Sequence, residues 1–189
     1  MPVNLPNLLT YARILLVPLL LLVYYVPQDW VTEHGRNVLA TAVFGFAALT
    51  DWLDGWLART LKQTSSFGAF LDPVADKLMV STALIMLVWL GRCDAFIAAI
   101  IIGREIAISA LREWMAKMGE SRSVAVSFLG KLKTVAQMVA IALLFYHDRL
   151  LIDAQRFGTW LIYLAAILTL WSMVYYLQRA MPKAWQQRH

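Results

Sequence analysis

Charged residues and cysteines are both scarce in this chain of 189 residues. Only 15% of its residues are charged, whereas a soluble domain has about a quarter. The composition therefore argues against an ordinary soluble protein. The one cysteine, Cys93, excludes an intrachain disulfide. Glycine- or serine-rich linkers, repeats and low-complexity tracts are also lacking, which favours a single domain over residues 1–189.

Apolar and aromatic residues stand where charge is missing. Hydrophobic residues make up 60% of the chain and aromatic residues 12%, a composition typical of a membrane protein. A membrane-spanning helix needs roughly 20 apolar residues. Short connections between such helices predict antiparallel neighbours in a compact, all-α bundle of six transmembrane helices. The predicted helices cover residues 8–26, 37–58, 72–91, 94–116, 126–146 and 157–178.

The ends of the chain and its basic residues predict an orientation. The first apolar run is too long for a signal-peptide core and no small-residue cleavage site follows it, so we expect a membrane anchor. The first ten or so residues are expected to lie in the headgroup plane as a short interfacial segment. Lys and Arg are concentrated in the tail and in the connections on the N-terminal side, which places both termini in the cytoplasm. Anionic lipid, rather than nucleic acid, then explains the net charge of +5.

Four aspartates interrupt the apolar pattern within one stretch, TDWLDGWLARTLKQTSSFGAFLDPVADKLM. At 100° per residue, two of them share a helical stripe with two small residues and an arginine. The small residues leave room for a ligand against the backbone, and the arginine suits a phosphate. The members of this stripe are Asp51, Asp54, Gly55, Ala58 and Arg59.

The second pair of aspartates, Asp72 and Asp76, shares a face if the third helix has begun there. An ionised carboxylate at membrane depth costs at least ~2.5 kcal/mol and needs a counter-charge. Two Mg²⁺ or Mn²⁺ ions would supply that charge and polarise a diphosphate. The alternative is a polar cap at two helix ends, because Asp72 before Pro73 has the form of an N-cap.

This pattern of aspartates resembles the signature of the CDP-alcohol phosphotransferases, with every element of the motif present. The resemblance implies a homodimer whose six-helix subunits each enclose a cytoplasm-facing cavity. It implies that Asp76 is the general base. The metal ligands that it implies are Asp51, Asp54, Asp72 and Asp76. The residues that it implies for the CDP-lipid are Asp54, Gly55, Ala58, Arg59 and Gly68.

Four cations on the fourth and fifth predicted helices indicate where an acceptor binds. Arg104 lies within a predicted span, and Arg112 lies on a similar side of the same helix. Lys131 and Lys133 follow at the start of helix five. Together they suit a small anionic acceptor rather than neutral choline, inositol or serine. The alternative is the ordinary excess of basic residues on the cytoplasmic side.

The branch of the family that the chain looks most like is the bacterial phosphatidylglycerophosphate synthases. Five stretches carry this similarity: NLPNLLTYARILLVP, TDWLDGWLAR, FGAFLDPVADK, GREIAISALREW and GKLKTVAQM. The similarity implies transfer of a phosphatidyl group from CDP-diacylglycerol to sn-glycerol 3-phosphate, with release of CMP. It places the chain in the bacterial inner membrane with the site facing the cytoplasm. It also implies that Asn7, Thr10 and Arg13 help to line the nucleotide side.

Other functions stay open at this point. A cardiolipin synthase of the same family would accept phosphatidylglycerol, and other members accept other alcohols. A divalent-cation transporter belongs to a different class. Its acidic groups should lie at the membrane midplane or on both sides, whereas these four aspartates cluster at the cytoplasmic ends of helices two and three.

Overall fold

The computed structural model describes residues 5–61, 66–117, 128–148 and 153–186, and six α-helices account for the regular structure in these ranges. The fold is therefore all-α, as predicted. The helices are α1 (Leu5–Tyr25), α2 (Glu33–Leu61), α3 (Ser66–Trp89), α4 (Ala95–Lys117), α5 (Phe128–Tyr146) and α6 (Ala154–Gln186).

Side-chain caps start three of the helices at one end of the bundle. In each case a side-chain oxygen accepts a hydrogen bond from a backbone N–H two or three residues further on. The accepting residues are Thr32, Asp94 and Asp153, at 3.1, 2.7 and 3.1 Å. These bonds satisfy N–H groups that a helix start leaves without a partner. At the same end, Gly91 closes α3 with a φ of 68°, a conformation that suits glycine. Successive helices therefore run antiparallel, with α2, α4 and α6 starting at what we call the capped end.

The core is assembled from all six helices. The first helix packs against α2 and α3, α5 packs against α2 and α6, and α4 packs against α3 and α6. Three aromatic rings join α1, α2 and α5, since Phe145 lies 6.3 Å from Tyr24 and 6.0 Å from Phe44 between ring centroids. This packing fixes the relative register of the helices that carry the polar residues.

Large apolar side chains also cover the outside of the bundle. Each of the six helices exposes one that is more than half accessible: Leu15, Phe46, Ile85, Ile106, Val135 and Trp171. By length and composition, α1 over Leu8–Tyr25 and α6 over Ala154–Tyr175 are suited to cross a membrane. The apolar exterior is what a chain surrounded by lipid requires, and it would be costly in water.

Two helix boundaries differ from the prediction by more than four residues. The third helix begins at Ser66 instead of residue 72, so Asp72 and Pro73 lie inside it and the N-cap interpretation is wrong. Because Pro73 is the eighth residue of α3, its missing N–H removes one hydrogen bond from the interior of the helix. The sixth helix continues eight residues past 178, because its polar continuation still contains good helix formers.

Candidate active site

An arginine on α1 holds the first aspartate of the predicted cluster. Arg13 NH1 donates to Asp51 Oδ1 at 2.8 Å. The arginine is only 1% exposed, whereas the side chain of Asp51 is 47% exposed. The buried cation thus fixes one oxygen of a carboxylate whose remaining surface is open.

A threonine one turn earlier on α1 holds the third aspartate. Thr10 Oγ1 donates to Asp72 Oδ1 at 2.5 Å, and Thr10 is almost fully buried. Because Thr10 and Arg13 are three residues apart, they lie on one face of α1. This face therefore orients one carboxylate from α2 and one from α3, 38 and 62 residues away in sequence.

The fourth aspartate, Asp76, lines a cavity of about 60 Å³ between α3, α4 and α5. Asp51, Arg13 and Glu105 are close enough to Asp76 to act on it electrostatically. Next to it, Lys77 donates to Ser109 Oγ and joins α3 to α4. The predicted general base therefore lies between the aspartate cluster and the helices that carry the predicted acceptor cations.

Two of the predicted acceptor cations meet at one carboxylate. Glu105 Oε1 accepts a hydrogen bond from Arg104 NH1 at 2.6 Å and another from Lys133 Nζ at 2.9 Å. Arg104 NH2 also donates to Ser172 Oγ on α6 at 3.1 Å. Arg104 is 8% exposed and Lys133 is 2% exposed. Among the described residues, the buried Arg104 Nε has no hydrogen-bond partner, so the cluster retains a donor for an anion.

The other two predicted cations stand differently. Arg112 is exposed on α4 and lies close enough to Lys133 to act on it electrostatically. The side chain of Lys131 lies outside the described residues. The cation cluster thus contains Arg104 and Lys133, with Arg112 near it, and the role of all four in acceptor binding stays a prediction.

Several predicted CDP-lipid residues cannot be placed by their side chains. Gly68 is buried on α3, and Thr10 contacts Asp72 as described. Of the predicted CDP-lipid residues, those whose side chains or surroundings lie outside the described part of the structure are Asn7, Asp54, Gly55, Ala58 and Arg59. Their roles stay predictions.

The residues that sequence reasoning missed are polar side chains inside apolar helices. Glu105 bridges the two cations, Ser172 positions Arg104, and Gln137 lines the cavity beside Asp76. The available signal was the rule that a polar group within a membrane helix faces the bundle interior and has a function. That rule indicates a role for Glu105, Gln137 and Ser172 as it does for Arg104.

The chemistry of the aspartates fits a hard divalent cation. Their donors are all carboxylate oxygens, which Mg²⁺ and Mn²⁺ prefer. Asp51 and Asp72 are each held toward α1 through Oδ1, so that the second oxygen of each can face a cation. Within the described residues no three metal-binding side chains form a complete site, and the side chain of the remaining predicted ligand, Asp54, lies outside them.

Comparison with known proteins gives the family. Residues 3–171 match the family model of the CDP-alcohol phosphatidyltransferases. The chain is 48% identical to the CDP-diacylglycerol–glycerol-3-phosphate 3-phosphatidyltransferase of Pectobacterium atrosepticum over 187 residues, which are 95% of this chain and 96% of that protein. Proteins of the same name from Salmonella choleraesuis and Escherichia coli K12 are 46% identical over 186 residues, with equal coverage. The resemblance seen in the aspartate motif is confirmed, and the chain belongs to the CDP-alcohol phosphatidyltransferase family.

Proposed function

We propose that this chain is a membrane enzyme that transfers the phosphatidyl group of CDP-diacylglycerol to sn-glycerol 3-phosphate and releases CMP. The observation that carries the proposal is the cavity lined by Asp76 and Glu105, which lies between the aspartates held by α1 and the cations Arg104 and Lys133. The names of the relatives support the choice of acceptor.

The acceptor binds through its phosphate. Arg104 and Lys133 are buried cations at one point, and Arg104 Nε is a donor without a partner among the described residues. Charge-assisted bonds from arginine and lysine are the usual way to hold a phosphate. Glu105 pairs with both cations, which avoids leaving two buried charges unpaired.

The proton of the acceptor hydroxyl goes to Asp76. Asp76 lines the cavity together with Glu105, the carboxylate that contacts Arg104 and Lys133, which supports this role. The hydroxyl oxygen then forms a bond to the β-phosphorus of the CDP-lipid. The bond from that phosphorus to the bridging oxygen breaks, and CMP leaves with the electron pair.

The divalent ions would be held by the aspartates Asp51, Asp54, Asp72 and Asp76. One or two Mg²⁺ or Mn²⁺ ions there would neutralise charge on the diphosphate. Thr10 and Arg13 would orient these ligands, since each fixes one carboxylate.

We also propose six membrane spans with both termini in the cytoplasm and the site facing it. The exposed apolar side chains on all six helices support this topology. The bacterial relatives support the inner membrane as the location. A homodimer is proposed on the family resemblance.

The test is release of CMP by the purified chain in lipid-containing detergent with CDP-diacylglycerol and Mg²⁺. Glycerol 3-phosphate, phosphatidylglycerol, inositol phosphate and serine are offered separately. We expect release with glycerol 3-phosphate alone. Release with phosphatidylglycerol instead would indicate a cardiolipin synthase, and no release with any of the four acceptors would overturn the proposal.

The same assay tests the base. Asp76→Asn should abolish CMP release while leaving the binding of CDP-diacylglycerol largely intact, because asparagine cannot take the proton but keeps an oxygen that a cation can bind. Asp94→Asn is the matched control, since it makes the same change at the capped end, where asparagine also caps a helix. Near-normal turnover of Asp76→Asn would show that Asp76 is not the base.

A further inference from the structure

An amide on α5 faces the same cavity as Asp76 without any assigned role. Gln137 is 4% exposed and lines the cavity together with Asp76 and Glu105. Its Oε1 is buried and has no hydrogen-bond partner among the described residues. A buried acceptor left without a donor costs roughly 1–3 kcal/mol. Such a group beside a cavity indicates a ligand that brings the missing donor.

The position of Gln137 on α5 relates it to the proposed phosphate site. Gln137 follows Lys133 by four residues, so the two side chains lie on one face of the helix, one turn apart. Four residues of a helix rise about 6 Å, which is about the length of a phosphate ester of a three-carbon alcohol. A ligand whose phosphate lies at Lys133 therefore extends along α5 toward Gln137, with Asp76 on the facing wall.

We infer that Gln137 is a specificity-determining residue that accepts a hydrogen bond from the non-reacting hydroxyl of the acceptor. The inference rests on the proposed function and adds a residue that recognises the central hydroxyl of the acceptor. Glycerol 3-phosphate offers one hydroxyl to the base and a second, on its central carbon, to this amide. The cavity then selects for a vicinal diol phosphate and against a simple hydroxyalkyl phosphate.

The chemistry at Gln137 favours a neutral donor over a second anion. An anionic group cannot supply the missing hydrogen, because a carboxylate or phosphate oxygen only accepts hydrogen bonds. An alcohol O–H satisfies the amide oxygen without adding charge. A site built around such a hydrogen bond rejects an analogue without the hydroxyl, because the buried acceptor is then left unpaired.

The experiment compares two acceptors with the full chain in lipid-containing detergent. One is glycerol 3-phosphate, and the other is 1,3-propanediol monophosphate, which keeps the phosphate and the reacting hydroxyl but lacks the central one. We expect the unmodified chain to favour glycerol 3-phosphate in kcat/KM by roughly 5- to 150-fold, the range for one buried unsatisfied group. In Gln137→Met, which keeps the length of the side chain, the preference should fall to within about threefold. The loss should appear with glycerol 3-phosphate.

Two further variants separate recognition from packing. Gln137→Leu also removes the acceptor oxygen and should give the same loss of preference, and it serves if the methionine variant does not fold. Gln155→Met, the same change on an exposed residue at the capped end, should leave both acceptors unaffected.

A preference that persists in Gln137→Met, or an equal loss with both acceptors, would overturn the role of Gln137 and leave the proposed function standing. An unmodified chain that turns over both acceptors equally well would also overturn it. If the unmodified chain releases no CMP with glycerol 3-phosphate, the proposed function fails and the inference about Gln137 fails with it.

Discussion

Replacing Thr10 with valine removes one hydrogen bond from the aspartate cluster and almost no volume. The Thr10 hydroxyl donates to Asp72 Oδ1 and is 1% exposed. A hydrogen bond to a charged group is worth about 1.5–3 kcal/mol. Because Asp72 is only half-buried, water replaces part of that bond, so we use the lower end of the range. About 1.4 kcal/mol corresponds to a tenfold weaker affinity for the divalent ion, at the low end of what groups that orient metal ligands contribute.

The assay measures the Mg²⁺ concentration for half-maximal CMP release at saturating substrates. Binding of Mn²⁺ to the purified protein, followed by electron paramagnetic resonance, gives a second readout that does not depend on turnover. Thr41→Val is the matched control, because it also removes a threonine hydroxyl that donates a hydrogen bond. The Thr41 hydroxyl donates to the Asn37 carbonyl at 2.8 Å, in the half of α2 that lies toward the capped end and away from Asp51. Both metal curves should shift about tenfold in Thr10→Val and remain in place in Thr41→Val.

Unchanged metal curves in Thr10→Val would refute the reasoning. If the affinity for CDP-diacylglycerol fell instead, Thr10 would act on the nucleotide side, as the family resemblance implied. The two results differ in which ligand is weakened, so one pair of titrations decides between them.

Two more predictions concern the capped end. Arg92→Met should lower the melting temperature by roughly 3–12 °C, because Arg92 NH1 donates to the Phe145 carbonyl at 2.9 Å and a charge-assisted bond of about 1.5–3 kcal/mol is lost. The melting temperature of Glu33→Gln, which removes only the charge of the exposed partner of Arg92 at 3.7 Å, should stay within about 2 °C of the unmodified chain. An equal drop for both variants would show that the ion pair contributes more to stability than the bond to the carbonyl. Burial raises the pKa of the Cys93 thiol to about 11, and the negative charge of Asp94 adds to the effect. Alkylation of Cys93 by iodoacetamide at pH 8 should therefore be more than about 100-fold slower than alkylation of free cysteine. A rate near that of free cysteine would contradict this prediction.

The sequence was sufficient to predict the number, order and type of the helices, because each apolar run has a length that a single helix fills. Ten of the twelve predicted helix ends lie within four residues of the observed ones. The start of α3 was missed because Asp72 and Pro73 form a plausible helix start when only neighbouring residues are considered. Whether a proline begins a helix or lies inside it depends on the chain before it, and here Ser66 to Leu71 are helical as well.

That the aspartates lie near one another was also predictable, but their pairings were not. Asp51, Asp72 and Asp76 do lie at one end of the bundle. The bonds to Arg13 and Thr10 join separate helices, and their register is set by core packing that no local pattern encodes. The same holds for the bridge of Glu105 between Arg104 and Lys133, which links residues 28 positions apart.

Two arginines show why the partners of a buried charge say more than its burial. Arg92 and Arg104 both follow a glycine, and both are 8% exposed. The donors of Arg92 go to backbone carbonyls at the end of α5, which have no alternative partner in a folded helix.

The donors of Arg104 go to side chains, the Glu105 carboxylate and the Ser172 hydroxyl, and its Nε has no partner among the described residues. A carboxylate on a flexible side chain can yield to a phosphate, whereas a helix carbonyl cannot be withdrawn without unwinding the helix. The first arginine therefore belongs to the fold and its loss should appear in stability. Under the proposed function, the second would exchange the Glu105 carboxylate for the phosphate of the acceptor, so its loss should appear in the KM for the acceptor.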